Sequence, residues 1–175
     1  MPESRPFFGD TVVIIGETPS DQSLTHKLFD APPVRLQNMT TDFSAFIWTL
    51  IVDDDPLVLS LLREYFAATE DIRVAGEARD GIEALSLLDK IYVDIVLADI
   101  NMPKMDGLTL LHEVQNRPNP PLFIATTDLD TDDAMLDVLA RGGAGYIIKS
   151  AQPQAIIHAI RDAVAGGTTV SPPAL

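Results

Sequence analysis

The chain contains no cysteine. That excludes a disulfide framework, a thiolate metal site and a cysteine nucleophile, and it fits a cytoplasmic protein. Basic residues are also scarce: 12 Lys and Arg stand against 26 Asp and Glu, a formal net charge of −14. A nucleic-acid backbone needs clustered cations to displace its counterions. The few here are scattered, which argues against direct nucleic-acid binding by this chain. No apolar run approaches the roughly 20 residues of a membrane span, and the N-terminus lacks the basic-then-apolar order of a secretory signal. What is present is a globular composition, 46% apolar and 22% charged over 175 residues. That is enough for one domain with a real core and an appendage. Most of the acids need no explanation beyond solubility. Those at the ends of apolar runs do.

Residues 1–46 differ from the rest. They carry Pro2, Pro6, Pro19, Pro32 and Pro33, several Ser and Thr, and one short apolar run from Thr11 to Gly16. They read as a mostly irregular extension of unknown function. Met39 precedes the first convincing strand, so translation is expected to start there, and the intact mass from the native source tests this.

From residue 47 the pattern alternates. Ile47 to Val52 reads as a strand, and Pro56 opens a helix as a first-turn residue. Leu57, Leu61 and Tyr65, beside Val58, Leu62 and Phe66, are assigned to its apolar face. Ile72 to Ala78 is a second strand, followed by a helix from Gly81 with Ile82, Leu85 and Leu88. Val93 to Ala98 is a third strand, apolar almost throughout, as when helices cover both faces. A helix with Leu108, Leu111 and Val114 is stopped by Pro118, Pro120 and Pro121. Leu122 to Ala125 is the fourth strand, and a helix from about Thr131 to Arg141 ends at Gly142-Gly143. Tyr146 to Ile148 is the fifth strand, and Pro153 opens a last helix with Ile156, Ile157, Ile160 and Val164. Five strands alternating with five helices predict an α/β fold with a parallel sheet. In such sheets ligands bind beyond the carboxyl ends of the strands. Asp53-Asp54-Asp55, Asp99, Thr126-Thr127 and Lys149 all stand at such ends.

Carboxylates from two strand ends make a hard-oxygen site suited to Mg²⁺ or Mn²⁺ and not to zinc. Crowded together, they repel unless a cation lies among them. Lys149 adds a permanent positive charge and Thr126 a hydroxyl donor. The set suits a phosphoryl group carried on an Asp, because phosphoryl transfer relies on positioning and charge neutralisation. Each residue also has a plainer reading. The Asp triplet suits a helix N-terminus, Thr126 an ordinary strand end, Tyr146 packing and Lys149 the surface. Asp55 reads as such an N-terminal acid, Asp106-Gly107 as a turn and cap, and Met102 and Met105 as loop packing. His26, His112 and His158 stand apart from one another, against a phosphohistidine or metal role.

Val52-Asp53-Asp54-x-Pro56, Asp99-x-x-Met102-Pro103-x-Met105-Asp106-Gly107, Thr126 and Gly145-Tyr146-x-x-Lys149 together resemble the receiver domain of two-component response regulators. The likeness spans residues 47–166. It implies a flavodoxin-like, doubly wound (βα)5 fold with five parallel strands in the order 2-1-3-4-5. It implies Asp99 as phosphoacceptor, Asp54 as a direct Mg²⁺ ligand, Asp53 beside it, and the Asn101 backbone carbonyl as a further ligand. Thr126 would be the switch hydroxyl with the Thr127 N–H beside it. Lys149 would pair with a phosphoryl oxygen, and Tyr146 would be the aromatic switch. The resemblance also implies that Asn101 and Asp128 would flank the pocket, at positions it associates with phosphoryl lifetime. One departure is Lys149-Ser150, where many receivers have proline. The other is the N-terminal extension, which matches nothing in the family.

The segment Gly142 to Ser150, followed by Ala165-Gly166-Gly167-Thr168-Thr169-Val170-Ser171-Pro172, is similar to receivers of the NarL/FixJ (LuxR-type) regulators. The resemblance implies that residues 167–175 begin a linker to a helix-turn-helix output domain outside this chain. DNA would be reached only through that domain. Partners would be a sensor histidine kinase and a second copy of the chain, in the cytoplasm and away from membranes. The alternative is a stand-alone receiver acting by protein contact. A remoter one is an Asp-nucleophile phosphatase suggested by Asp53-x-Asp55, which lacks a cap insertion. The receiver reading is of a non-enzyme that accepts a phosphoryl group and releases it by hydrolysis.

Overall fold

A computed structural model describes residues 46–128 and 131–167, and the backbone of 169 and 170. The Thr11 to Gly16 run, Met39 and the Ser171-Pro172 step lie outside the described residues. Strands and helices alternate as β1 (Ile47–Val52), α1 (Pro56–Ala67), β2 (Ile72–Ala78), α2 (Gly81–Leu88), β3 (Ile95–Asp99) and α3 (Gly107–Gln115). They continue as β4 (Leu122–Thr127), α4 (Asp132–Ala140), β5 (Gly145–Ile148), α5 (Pro153–Val164) and the two-residue β6 (Thr169–Val170).

Every pairing is parallel, and the order is β2-β1-β3-β4-β5-β6. The predicted five-stranded order is therefore present. β6 extends it, pairing Thr169 and Val170 with Gly145 and Tyr146 inside the stretch expected to begin a linker. A two-residue strand carries too little periodicity to be seen in advance.

Alternation along the strands sorts the core into two layers. Trp48, Leu50, Val52, Val96, Ala98, Phe123, Ala125 and Tyr146 join one buried cluster with residues of α2, α3 and α4. Ile51, Ile95, Leu97, Ile124 and Ile147 join the other with residues of α1 and α5. Every residue of β3 is buried, which is why its sequence is apolar until Asp99.

The helices bury narrower stripes than expected. α1 turns Leu59, Leu62 and Phe66 inward and leaves Leu57 and Leu61 at 64% and 39% exposure. A strict four-residue spacing drifts around a helix of 3.6 residues per turn, so two of the assigned positions reach solvent. Ile82 and Val164 are likewise exposed, while Ala84, Leu88, Ala159 and Ala163 fill the contacts. Small side chains supply part of these faces, a role apolar periodicity does not reveal.

Strand bounds move slightly towards the rim. β3 runs Ile95–Asp99 where Val93 to Ala98 was expected, and β4 continues to Thr127 past Ala125. Backbone pairing carries the polar end residues into the sheet. Asp55 caps α1 by accepting the Leu57 N–H at 2.8 Å, and Asp106 caps α3 by accepting that of Thr109 at 2.7 Å. Each satisfies an otherwise unpaired helix donor, as read from the sequence.

Candidate functional site

The strand order reverses between β1 and β3, so their carboxyl ends open a crevice. β1 delivers Asp53 there, buried at 1% exposure, and Asp54, which is exposed. β3 ends on Asp99, at 2% exposure. Parallel register sets Thr126 beside Asp99, and Lys149 follows β5, its N–H donating to the Thr127 carbonyl at 2.7 Å. Four separated segments thus meet at one rim.

Lys149 binds the acids together. Its Nζ lies 2.8 Å from Asp53 Oδ2 and 3.0 Å from Asp99 Oδ2. The contact to Asp99 is a directed hydrogen bond. The contact to Asp53 is a close ion pair, with Asp53 buried. The second oxygens are held by the backbone: Asp53 Oδ1 accepts the Asp55 N–H at 2.9 Å, and Asp99 Oδ1 accepts the Asn101 N–H at 3.1 Å.

Burial pushes the Asp53 carboxyl above its ordinary range, and Lys149 and the Asp55 N–H offset this only in part. For Lys149, burial works against the charge, but the two carboxylates outweigh it and raise its pKa. Asp53, Asp54 and Asp99 each offer an oxygen, all within 4.8 Å of one another. Three carboxylates converging at the rim, two of them buried, make an all-oxygen donor set that fits a hard divalent cation such as Mg²⁺ or Mn²⁺.

The remaining predicted residues divide. Thr126 and Thr127 are buried at the rim, and Asp128 follows them as an exposed residue. Tyr146 lies next to Ala125 in register and is buried in the cluster on the other face of the sheet. Asp55 is occupied as a cap. Met102 and Met105 pack against the core. The Lys149-Ser150 bond is trans, as are the other peptide bonds described. Two further contacts hold the Asp99 loop. Lys104 pairs with Asp80 at 2.9 Å, and the Gly107 backbone packs against that of Asp99. Asp80 lies 24 residues before Lys104 and outside the Asp99 motif, so only the fold could join that pair.

A doubly wound parallel sheet with this rim of carboxylates, hydroxyls and a lysine is the architecture of a receiver module. Residues 49–161 match the family described as response regulator receiver domain, and the chain belongs to that family. The nitrate/nitrite response regulator protein NarL of Escherichia coli (strain K12) is 28% identical over 122 residues, covering 70% of this chain and 56% of NarL. The uncharacterized transcriptional regulatory protein YxjL of Bacillus subtilis (strain 168) is 33% identical, covering 66% of this chain and 53% of YxjL. A crystal structure of a LuxR-family two-component response regulator from Aurantimonas sp. SI85-9A1 aligns with a TM-score of 0.69 and 26% identity. It covers 73% of this chain and 91% of that one. The chain is therefore a receiver whose relatives are regulators of NarL/LuxR type, and it spans about half the length of the curated regulators it matches. Protein-glutamate methylesterases also occur among its relatives.

Proposed function

We propose that this receiver accepts a phosphoryl group on Asp99 from a sensor histidine kinase. The observation that carries the reading is the Lys149 ammonium at 2.8 and 3.0 Å from Asp53 and Asp99. It leaves a carboxylate nucleophile beside a fixed cation, with a second cation's ligands already gathered. Asp53, Asp54, Asp99 and the Asn101 backbone carbonyl would hold Mg²⁺ (or Mn²⁺). When bound, that ion supplies charge neutralisation to the phosphoryl oxygens.

The chemistry falls to Asp99. One carboxylate oxygen attacks phosphorus while the bond from phosphorus to the donor's leaving atom breaks. The leaving group departs with that electron pair, and an acyl phosphate remains on Asp99. Lys149 then pairs with a phosphoryl oxygen, and the Thr126 hydroxyl, with the Thr127 N–H beside it, turns towards the group. Turning Thr126 alters the packing between β4 and β5, Tyr146 is the aromatic switch that responds, and the α4–β5 face changes its contacts.

The output of that face is dimerisation or docking of an output domain. Residues 47–166 form the receiver in this reading, 1–46 are an extension, and 167–175 lead towards a helix-turn-helix outside this chain. DNA is then contacted only through that domain, and the protein acts in the cytoplasm. Among the described residues no helix is long and apolar enough to cross a membrane. The test is incubation with acetyl phosphate and Mg²⁺, read by intact mass and size exclusion. One labile phosphoryl group should be gained, lost in Asp99→Ala. No gain by the wild-type chain, or an undiminished gain by Asp99→Ala, rejects the assignment.

A further inference from the structure

The loop leaving Asp99 is strained at its tip. Lys104 has a φ of 65°, in the left-handed region that residues with a Cβ seldom occupy. The Met105 N–H donates back to the Pro103 carbonyl at 2.7 Å, closing a three-residue turn around Lys104. Turns of this hand are rare and strained, and such a residue persists only where its surroundings fix it.

The surroundings here are specific. Lys104 Nζ lies 2.9 Å from Asp80 Oδ2, and the Asp80 side chain is only 6% exposed. Asp80 is itself anchored, because its Oδ1 caps α2 by accepting the Glu83 N–H at 2.9 Å. A second tie lies one residue further on. The Gly81 N–H donates to the Met105 carbonyl at 3.2 Å, and a Cβ at Gly81 would come within 2.6 Å of the Met105 side chain. The tip of the loop is thus moored to the start of α2 at adjacent residues. Its base is closed by the Gly107 N–H on the Ile100 carbonyl at 2.9 Å. Asn101 lies between base and tip, with its N–H on Asp99 Oδ1.

We propose that Lys104 is a positioning residue, whose pairing with Asp80 offsets the strain of the turn and thereby holds the Asn101 backbone in place for the cation site at Asp99. The inference rests on the reading of Asp99 as the centre of that site. It separates strain from charge, because glycine takes a left-handed turn without penalty. Removing the lysine's charge while keeping a Cβ should loosen the loop, and removing the Cβ as well should restore it.

The experiment compares full-length wild type, Lys104→Met, Lys104→Gly and Asp80→Asn. Mg²⁺ affinity is measured by calorimetry, and the Asn101 amide resonance is followed in metal-free protein. Lys104→Met and Asp80→Asn should weaken Mg²⁺ binding about 10-fold, as losses of outer-sphere support do, and should shift the Asn101 resonance. Lys104→Gly should stay within about 2-fold of wild type. A Lys104→Met protein indistinguishable from wild type overturns the proposal. A Lys104→Gly protein as weak as Lys104→Met also overturns it, since charge alone would then be at work. Lys104 is exposed, so its variants should fold; should Lys104→Met not, Asp80→Asn, which retains a side-chain cap, decides in the same way. Wild type that binds no Mg²⁺ and gains no phosphoryl group would instead reject the receiver-site reading itself, and this proposal with it.

Discussion

The backbone of Gly107 packs directly on that of Asp99. A Cβ at Gly107 would press into the Asp99 carbonyl oxygen and come within 2.8 Å of the Ile100 Cα. Backbone cannot rotate aside as a side chain does, so the strand end that carries Asp99 would have to shift. Gly107→Ala should therefore cost about 3 kcal/mol, the upper range for overpacking, and should also slow phosphoryl uptake from acetyl phosphate. Urea midpoints and the uptake rate check the two effects. A stable Gly107→Ala protein with normal uptake would show that the loop absorbs the added methyl.

Asp53 supplies a second expectation, with opposite signs in two buffers. Its folded pKa lies above the ordinary 3.8 because burial penalises its charge. A carboxyl raised on folding makes stability fall as pH rises from the unfolded pKa through the folded one. At neutral pH without divalent cations, Asp53→Asn should therefore be more stable than wild type. With Mg²⁺ at a hundred times its Kd the wild type should gain about 2.7 kcal/mol, and Asp53→Asn should gain much less. Urea denaturation with and without Mg²⁺ reads both. Equal Mg²⁺ responses in the two proteins would remove Asp53 from the site.

Thr126 stands beside Asp99 in register, and its hydroxyl can add about one hydrogen bond to the phosphorylated state. Thr126→Ala should change the uptake rate by less than about 10-fold, the worth of one such bond. It should abolish the phosphorylation-dependent change in elution volume. Loss of uptake altogether would make Thr126 part of the transfer chemistry and not of the switch.

Asp128 follows Thr127 at the rim and is exposed. Asp128→Ala should alter the lifetime of the acyl phosphate, because a carboxylate near the phosphoryl group affects the approach of water. The change should be about 3-fold or more, the scale of a weakly screened surface charge. Decay of the labile phosphoryl group, followed by intact mass, measures it. An unchanged decay rate would leave Asp128 without a role.

The sequence carried the strand pattern and the rim residues because both are local signals: an apolar run, then a carboxylate or a lysine. Asp53, Asp99, Thr126 and Lys149 each end such a run, and parallel register does the rest. The inward stripe of α1 was less readable, because Leu57 and Leu61 are as apolar as Leu59 and Leu62 and only docking on the sheet chooses between them. β6 was hidden by its length. The Lys104–Asp80 pair spans 24 residues and depends on a left-handed turn, a conformation that nothing about lysine announces.

Away from the site, Asp71 and Arg161 join the start of β2 to α5 through two hydrogen bonds of 2.7 and 2.8 Å. The guanidinium holds the Asp71 carboxyl below its ordinary 3.8. A carboxylate whose pKa is lowered on folding adds stability above its unfolded pKa and loses it as pH falls through the folded one. Both side chains are more than a third exposed, so solvent screens the pair and its effect is small. Wild type should be more stable than Asp71→Asn near neutral pH. That gap should close as the pH falls below 3.8, and it should narrow in high salt at neutral pH. Urea midpoints at neutral and acid pH measure the gap; one that persists in acid would trace to packing around Asp71 and not to its charge.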